Sequence, residues 1–517
     1  MRLVLGTEIA QIDRMACELC GISGLWLMEN AGTAVANFAD RLMKKRTLDK
    51  NLDILLLAGG GNNGGDALVV ARLLNAKGYK TITAVLCDPE KYKNDAKTNW
   101  EKMVELSLPY FIVKNESDFA ILEEKLKNTS LIIDGIFGTG FHGCAVGIIA
   151  DVIDTVNKSK CLKLAIDLPS GVNATDGTVI GLAVKADYTV TFGWEKYGTK
   201  IYPAKDYVGE ISVADIGIPV ELLEKIESNI TETDNQIAKA LLPVREQESH
   251  KGTYGHVAVV GGAYGMLGAP ILAAQGALKS GAGLVTVVSV EEIMIPLACN
   301  QPELMCKLQT SNGHLSLNNK EEIAEFVKDK YVVMGMGMGR GEETIHLIKE
   351  LCKCQMKGLV LDADGLFALA QNPIDFKNCG FPVVLTPHPK EMANLLNKTT
   401  ADVQKDRLAV VIEASEKFGA VVVLKGAKTL IANGNEVFLN STGNSGMATG
   451  GSGDVLGGII CSLMAQGLSP KDAAVLGVYI HGKSGDVAKA HVGEYGMSAG
   501  DLVKYLPQAI MSVENSR

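Results

Sequence analysis

The sequence is poor in aromatic residues, 5 % of 517 positions, and it has no excess of positive charge. Its 50 Lys and Arg face 59 Asp and Glu, a net of −9. Such a chain repels phosphate backbones, so a general nucleic-acid binder is excluded. No apolar run reaches the roughly 18 residues that a membrane span needs. The N-terminal stretch MRLVLGTEIAQID meets Glu8 too soon for a secretion signal. The 11 cysteines are scattered, without the density of a disulfide scaffold, which fits a reducing, cytoplasmic compartment. Cys17 and Cys20 form a CxxC and Cys352 and Cys354 a CxC, yet no local His completes a zinc site. The plain reading of these is buried helical cysteine. No fixed-period repeat is present, so a solenoid is excluded.

What is there in quantity is glycine, 56 residues, and apolar residues, 47 %. The apolar content excludes wholesale disorder. Glycine without a short repeat points to tight turns and close approach of backbone to ligand. A first helix is expected to open at Thr7 as N-cap, with Ile9, Ile12, Ala16 and Leu19 on one face. A second runs from Met28 to about Arg46. Strand-length apolar runs then alternate with helices, starting at Leu52, Thr81, Leu131, Lys163 and Asp187. Continuous apolar strands between amphipathic helices indicate a parallel sheet covered on both faces. This first α/β domain is assigned to residues 1–218. Residues 219–228 read as a linker, and the polar stretch to Gln247 carries no long apolar strand. A second α/β pattern, assigned to 229–513, has strands from His256, Leu284, Tyr331, Leu359, Val383 and Ala420, then turns helical from about Gly453 to Met511. The two halves carry different motifs, so they read as two unlike sites on one chain.

In the first half, GGGNNGGD (Gly59 to Asp66) stands between a strand and a helix. Ligands of open α/β sheets bind beyond the carboxyl ends of strands, and a helix start offers free N–H donors to phosphate. The spacing is neither the dinucleotide fingerprint nor the ATPase phosphate loop. DGIFGTGFHG puts Asp134 at a strand end, and AIDLPSGVNATDG puts Asp167 at another, with Ser170 beyond it. A carboxylate there is costly unless partnered or functional. Asn63, Asp134 and Ser170 could present oxygens to a monovalent cation, leaving Asp167 for proton transfer. Each aspartate could also cap its strand–turn junction. In the second half, NSGMATGGSGDVLGG (from Asn444) leads a glycine turn into a helix, with Gly451, Ser452 and Gly453 able to cradle a phosphoryl group and Asp454 at the helix start. Asp454 could take a proton from an attacking hydroxyl. VLKGAKTLI (from Val423) suggests a hairpin with Lys425 and Lys428 near phosphates. Asp362 and Asp364 could assist magnesium or simply cap turns. His388, between prolines, could be a rigid-turn residue.

LMENAG (Leu27 to Gly32), GGGNNGGDALVVARLL, DGIFGTG and AIDLPSGVNATDG resemble the YjeF N-terminal family, the NAD(P)H-hydrate epimerases. The resemblance implies a Rossmann-like three-layer domain that interconverts the R and S hydrates of the reduced nicotinamide ring and binds potassium. It implies that Asn62, Asn63, Gly64, Gly65, Asp66, Gly138, Thr139, Gly140, Phe141, His142, Gly143 and Cys144 bind the hydrated dinucleotide. Asn63, Asp134 and Ser170 would hold potassium, and Asp167 would be the acid/base. Where that family usually has Lys-Pro-Gly, this chain has Lys196-Tyr197-Gly198, which leaves the role of Lys196 open.

KGTYGHVAVVGGAYGMLGAPILAAQGALKSGAGLVTV, LDADGLFAL, LTPHPKEMANLL and the GGSGD run resemble the YjeF C-terminal family, ribokinase-like ADP- or ATP-dependent NAD(P)H-hydrate dehydratases. The resemblance implies that the S-hydrate hydroxyl is phosphorylated and phosphate then leaves. Asp454 would be the base, and magnesium would accompany ADP or ATP. Lys425, Gly426, Ala427, Lys428 and Thr429 would bind ADP, as would Asn444, Ser445, Gly446, Met447, Ala448, Thr449, Gly450, Gly451, Ser452 and Gly453. Gly268, Ala269, Gly337 and His388 would contact the hydrate. Two departures stand out: Gly335-Met336-Gly337 replaces the usual Gly-Pro-Gly, and Lys390 replaces the glycine of His-Pro-Gly-Glu. The expected substrates are NADHX and NADPHX, and a homo-oligomer is expected by analogy alone. A small-molecule kinase with a regulatory N-terminal domain and a non-enzymatic nucleotide-binding scaffold are the competing readings.

Overall fold

A computed structural model describes residues 1–516. Two compact units emerge, Arg2–Ser228 and, from Asn229, the rest of the chain. The N-terminal unit holds a seven-stranded sheet in the order Tyr110–Ile112, Thr81–Val85, Asp53–Ala58, Thr129–Gly135, Leu162–Ile166, Tyr188–Phe192, Glu210–Ala214. Every pairing is parallel. Side chains alternate across each strand, so Ile54, Leu56 and Ala58 meet the helices Gly24–Lys45 and Asn62–Ala76. Leu55 and Leu57 meet Leu122, Val152 and Ile153 of the helices on the opposite face. Three layers result, and each leucine sealed this way contributes roughly 1.5–3 kcal/mol.

Several boundaries differ from the sequence reading. The first helix spans Gly6–Cys20, so Leu5 rather than Thr7 occupies the cap position. Its N–H is satisfied by Glu8 Oε2 at 2.8 Å. The second helix begins a turn earlier, at Gly24, under the Ser23 cap. Residues 219–228 are no linker. They form a turn of 3-10 helix, and Leu222 and Ile226 are buried, Ile226 against Val4 and Ile12. Cys17 and Cys20 are helical but exposed, and Cys352 is buried; none is disulfide-bonded.

The C-terminal unit orders its strands Asn229–Thr233, Glu436–Asn440, Leu430–Asn433, Val421–Leu424, Val383–Leu385, Gly358–Leu361, Tyr331–Met334, His256–Val260, Leu284–Val290, Met305–Gln309. Only Leu430–Asn433 runs antiparallel to its neighbours. Asn229–Thr233, in the polar stretch thought free of strand, pairs in parallel with Glu436–Asn440 and buries Ile230 and Thr233. Helices Gly268–Lys279, Ser452–Ala465, Pro470–Val492 and Ala499–Glu514 build the core against the sheet.

In both sheets the chain reverses direction once between adjacent parallel strands. In the N-terminal unit this falls between Asp53–Ala58 and Thr129–Gly135, in the C-terminal unit between His256–Val260 and Tyr331–Met334. At such a switch point the loops diverge and leave a crevice at the strand tips, the usual ligand site of open α/β sheets.

Candidate active sites

The N-terminal crevice is a cavity of about 740 Å³. One wall is the loop and helix start Gly60–Asn63, after one switch strand. The other is Ile136–His142, after its partner. Behind the first wall the backbone is close-packed: a Cβ on Gly59 would stand 2.0 Å from the Ile136 carbonyl oxygen, and one on Gly64 1.9 Å from that of Gly59. The helix Asn62–Ala76 starts without a side-chain cap, so its first N–H groups remain available to an anion. Of the residues the resemblance implicates, Asn62, Asn63, Asp66, Gly138, Thr139, Gly140, Phe141, His142 and Asp167 do line the cavity. Gly64 and Gly65 do not: Gly65 instead lets the helix approach Met28 and Ala96. Gly143 and Cys144 also fall outside the lining, Cys144 bridging to Ile180.

Asp167 follows its strand with φ +63°, a left-handed conformation that turns the chain sharply at the tip. Three donors converge on its Oδ1: Lys196 Nζ at 2.6 Å, Thr191 Oγ1 at 3.0 Å and Phe192 N at 3.2 Å. No donor among the described residues reaches Oδ2. Lys196, fully buried, also donates to Thr191 Oγ1 and to the Phe192 carbonyl. Sequence reasoning left this lysine undecided, and it missed Asp13, which also lines the cavity. Burial, then the charge of Asp167, pushes Asp13 up to about 6, with Lys196 pulling the other way. Burial raises Asp66 well above the ordinary carboxylate value, helped by Asp167 and Asp13.

Beside the cavity lies a knot of oxygens. Asp134 is fully buried and is held by neutral donors, Ser170 N at 2.7 Å, Ser170 Oγ at 2.6 Å and Ile136 N at 3.2 Å. Burial pushes its carboxyl up to about 6 against the pull of those bonds. Phe137 N donates to Ser170 Oγ, and Asn63 Nδ2 donates to the Phe137 carbonyl, so Asn63 keeps its side-chain oxygen for another partner. Asn63, Asp134 and Ser170 are thus brought together. A buried carboxylate without a basic neighbour, ringed by oxygens, fits a hard monovalent cation.

In the C-terminal unit, Asp362, Glu391, Asp454 and Lys425 gather at the strand tips. Lys425 Nζ stands 2.6 Å from Asp362 Oδ1 and 3.8 Å from Glu391 Oε2. Burial acts against the lysine's charge, but Asp362, Glu391 and Asp454 outweigh it and raise its pKa. Burial, reinforced by Asp362, pushes Asp454 up to about 7. Glu391 also rises to about 7, by burial against the pull of Lys425. Gly453 admits this cluster: a Cβ there would stand 3.2 Å from Lys425 Nζ and 3.6 Å from Asp362 Oδ2. The helix Ser452–Ala465 has Asp454 in its first turn and no side-chain cap. Under that start lies His481, buried and with Nε2 3.5 Å from Ser452 Oγ. Burial lowers its pKa to about 4. His481 and Glu391 both escaped sequence reasoning.

The remaining candidates divide. Gly337, with φ +60°, lies against Met266 and Ala269, so Gly337, Gly268 and Ala269 meet at the switch point. His388 is a cap: its Nδ1 accepts from Lys390 N and Glu391 N. Burial, then Lys425, lowers its pKa. Lys390 is exposed and, with Arg340 and His388, lines a small pocket of about 170 Å³. Asp364 is engaged by Arg340 Nε and Gly339 N, both at 2.9 Å. Gly426 and Ala427 form an exposed hairpin tip, Thr429 Oγ1 closes on Gly426 O, and Lys428 Nζ lies 3.5 Å from Ser441 O. Within the glycine run, Asn444 is tied to Asp486 and Ser445 to Glu494. Met447 packs against a small apolar cluster, Ala448 and Gly450 are exposed, and Thr449 to Gly451 turn into the helix start. Among the described residues no group of three His, Cys, Asp or Glu is placed to hold a metal ion, and no helix is long and apolar enough to cross a membrane.

A family model described as NAD(P)H-hydrate dehydratase matches residues 257–508, and one described as YjeF-related protein N-terminus matches 24–198. A bifunctional NAD(P)H-hydrate repair enzyme of Moorella thermoacetica is 40 % identical over 518 residues, covering 99 % of this chain and 97 % of the relative. One of the same description from Thermofilum pendens is 36 % identical over 517 residues, with the same shares covered. A crystal structure of an ADP/ATP-dependent NAD(P)H-hydrate dehydratase from Bacillus subtilis aligns with 56 % of this chain and all of its own at 28 % identity and a TM-score of 0.49.

Proposed function

We infer, from the premise that the chain belongs to the family of bifunctional NAD(P)H-hydrate repair enzymes, that each unit carries one step of nicotinamide nucleotide repair. The N-terminal unit interconverts the R and S hydrates of NADH and NADPH. The C-terminal unit converts the S hydrate back to the dinucleotide at the expense of ADP or ATP.

The observation that carries this reading is Asp454, a half-buried carboxylate poised near neutrality in the first turn of a helix with free N–H groups. A base needs a pKa near the working pH, and a phosphoryl group needs such a helix start. The substrate hydroxyl attacks the terminal phosphorus of the nucleotide as Asp454 takes its proton. The new P–O bond forms and the shortened nucleotide leaves. The carbon–oxygen bond then breaks, pushed by the ring nitrogen, phosphate departs, and the adjacent carbon loses a proton to restore the double bond. Lys425 neutralises charge beside the transferred group. Magnesium would accompany the nucleotide and neutralise charge on its phosphates. Asn444 to Gly453 and Lys425 to Thr429 would hold the nucleotide.

In the N-terminal unit the free Oδ2 of Asp167 serves as the proton acceptor. The helix start at Asn62 and Asn63 would take the pyrophosphate, and Gly138 to His142 would cover the substrate. Asn63, Asp134 and Ser170 would hold potassium, which would fix the loop Ile136–Phe137 that forms one wall.

The test is one assay. Purified protein is mixed with equilibrated hydrates, nucleotide, magnesium and potassium, and reduced-nicotinamide absorbance is followed. Full recovery at an enzyme-dependent rate is expected. A stable phosphorylated product would favour the kinase reading, and binding without turnover the scaffold.

A further inference from the structure

Asp13, Asp66 and Asp167 line the N-terminal cavity, as do Lys196 and His142. Lys196 is committed to Asp167. Asp13 and Asp66 have neither ion pair nor hydrogen-bond donor among the described residues. The two differ in their surroundings. Asp66 belongs to the helix whose start, with Gly60 to Asn63, suits a phosphate. Asp13 stands among Ile9, Ile12, Trp194 and Ile218, an apolar surface that suits a flat ring.

The helix that carries Asp13 is firmly moored. Ile12, its neighbour, is fully buried, and Glu8 on the same helix accepts from Leu5 N, from Ser228 N at 3.0 Å and from Ser228 Oγ at 2.6 Å. An acid on a rigid element, partly withdrawn from water and facing a second acid held by lysine, forms an acid and base pair over one cavity.

We propose that Asp13 is the proton donor of epimerisation, acting at the ring nitrogen while Asp167 accepts the hydroxyl proton. This rests on the epimerase reading of the N-terminal unit. A hydrated enamine carries its hydroxyl on the carbon beside the ring nitrogen. Asp167 takes the hydroxyl proton, the C–O bond becomes a carbonyl, and the carbon–nitrogen bond breaks with its electron pair going to nitrogen. Asp13 delivers a proton to that nitrogen. Rotation exposes the other face of the carbonyl, nitrogen attacks it, and both protons return to the groups they came from. No other reactant is consumed. The burial that raises Asp13 toward neutrality keeps a proton available to it, and a bound ring removes further water and acts in the same direction. Asp66, Asp167, Lys196 and His142 are the titratable groups that share the cavity with it.

The experiment measures initial rates of R-to-S exchange against pH, in potassium, for the wild type, Asp13→Asn, Asp13→Glu and Asp66→Asn, with thermal melting as a fold control. A donor must hold its proton, so the wild-type rate falls as pH rises through the Asp13 titration. Asp13→Asn is expected to lose about 100-fold in rate and the alkaline limb with it, while Asp13→Glu restores part of both. Nucleotide-dependent recovery of pure S hydrate stays at the wild-type rate. Unchanged exchange in Asp13→Asn, a slowed variant that keeps the wild-type pH profile, or loss of the limb in Asp66→Asn instead would each overturn the proposal alone. A wild type that does not accelerate exchange overturns the epimerase reading as well.

Discussion

Each unit gathers three carboxylates around one lysine at the tips of a parallel sheet, yet the lysine is used differently. In the N-terminal unit Lys196 grips Asp167, the acid assigned the chemistry, at 2.6 Å. In the C-terminal unit Lys425 grips Asp362 at the same distance, while the acid assigned the chemistry, Asp454, comes from a helix start. An ion pair at a strand tip therefore does not mark the base. Asp167 keeps Oδ2 clear of protein donors because its three donors all fall on Oδ1. Asp362 is the more deeply buried of the two, 1 % exposed against 7 % for Asp167.

The sharpest way to break this comparison is to disable each base alone. Asp454→Asn is expected to cut nucleotide-dependent recovery by about 10,000-fold, the upper range for a positioned base, with epimer exchange intact by chromatography. In the wild type, recovery rises with pH through about 7, because the base works only after losing its proton. Next in size is the loss of a lysine. Lys196→Met leaves a buried carboxylate unpaired and is expected to destabilise the N-terminal unit by about 3–5 kcal/mol. Lys425→Met costs the C-terminal unit less, since that side chain is 18 % exposed. Denaturant midpoints of the two transitions compare them, and equal losses would erase the distinction. Asp167→Asn is expected to slow R-to-S exchange about 100-fold while S hydrate is consumed normally, read from initial rates because hydrates also epimerise unaided.

The smallest effect concerns Asp134. Its carboxyl is raised from 3.8 to about 6, so the folded unit binds the extra proton between those values. Stability therefore falls as pH rises across that window. A potassium ion favours the charged form and offsets the fall. Above pH 6, potassium should raise the melting temperature of the N-terminal unit relative to lithium, by the equivalent of about 1–2 kcal/mol at saturating salt. Asp134→Asn should abolish that difference and leave the C-terminal transition alone.

Much of this was legible from residue order. Apolar runs ending in glycine and aspartate announced both sheets and the tips that bear Asp134, Asp167 and Asp362. Strands with a weak apolar pattern escaped: Asn229–Thr233 shows five residues, of which only Ile230 and Thr233 are buried. Asp13 escaped for another reason. Its helix announced itself by Ile9 and Ile12, and nothing local says that the acid beside them faces a cavity whose walls, from Gly60 to Ile218, come much later in the chain. The pairings of Lys196 and Lys425 were hidden for the same reason, as was His481, which reads as one more helical residue until Ser452 is folded above it.

The crowding of Gly59 and Gly64 bears on any attempt to redesign the N-terminal crevice. Those two positions lack room even for a methyl group, whereas a Cβ on Gly61, in the same wall, or on Gly140, in the facing wall, meets nothing within 4 Å. Engineered selectivity must spare Gly59 and Gly64, and libraries that include them would waste that diversity on chains that cannot close.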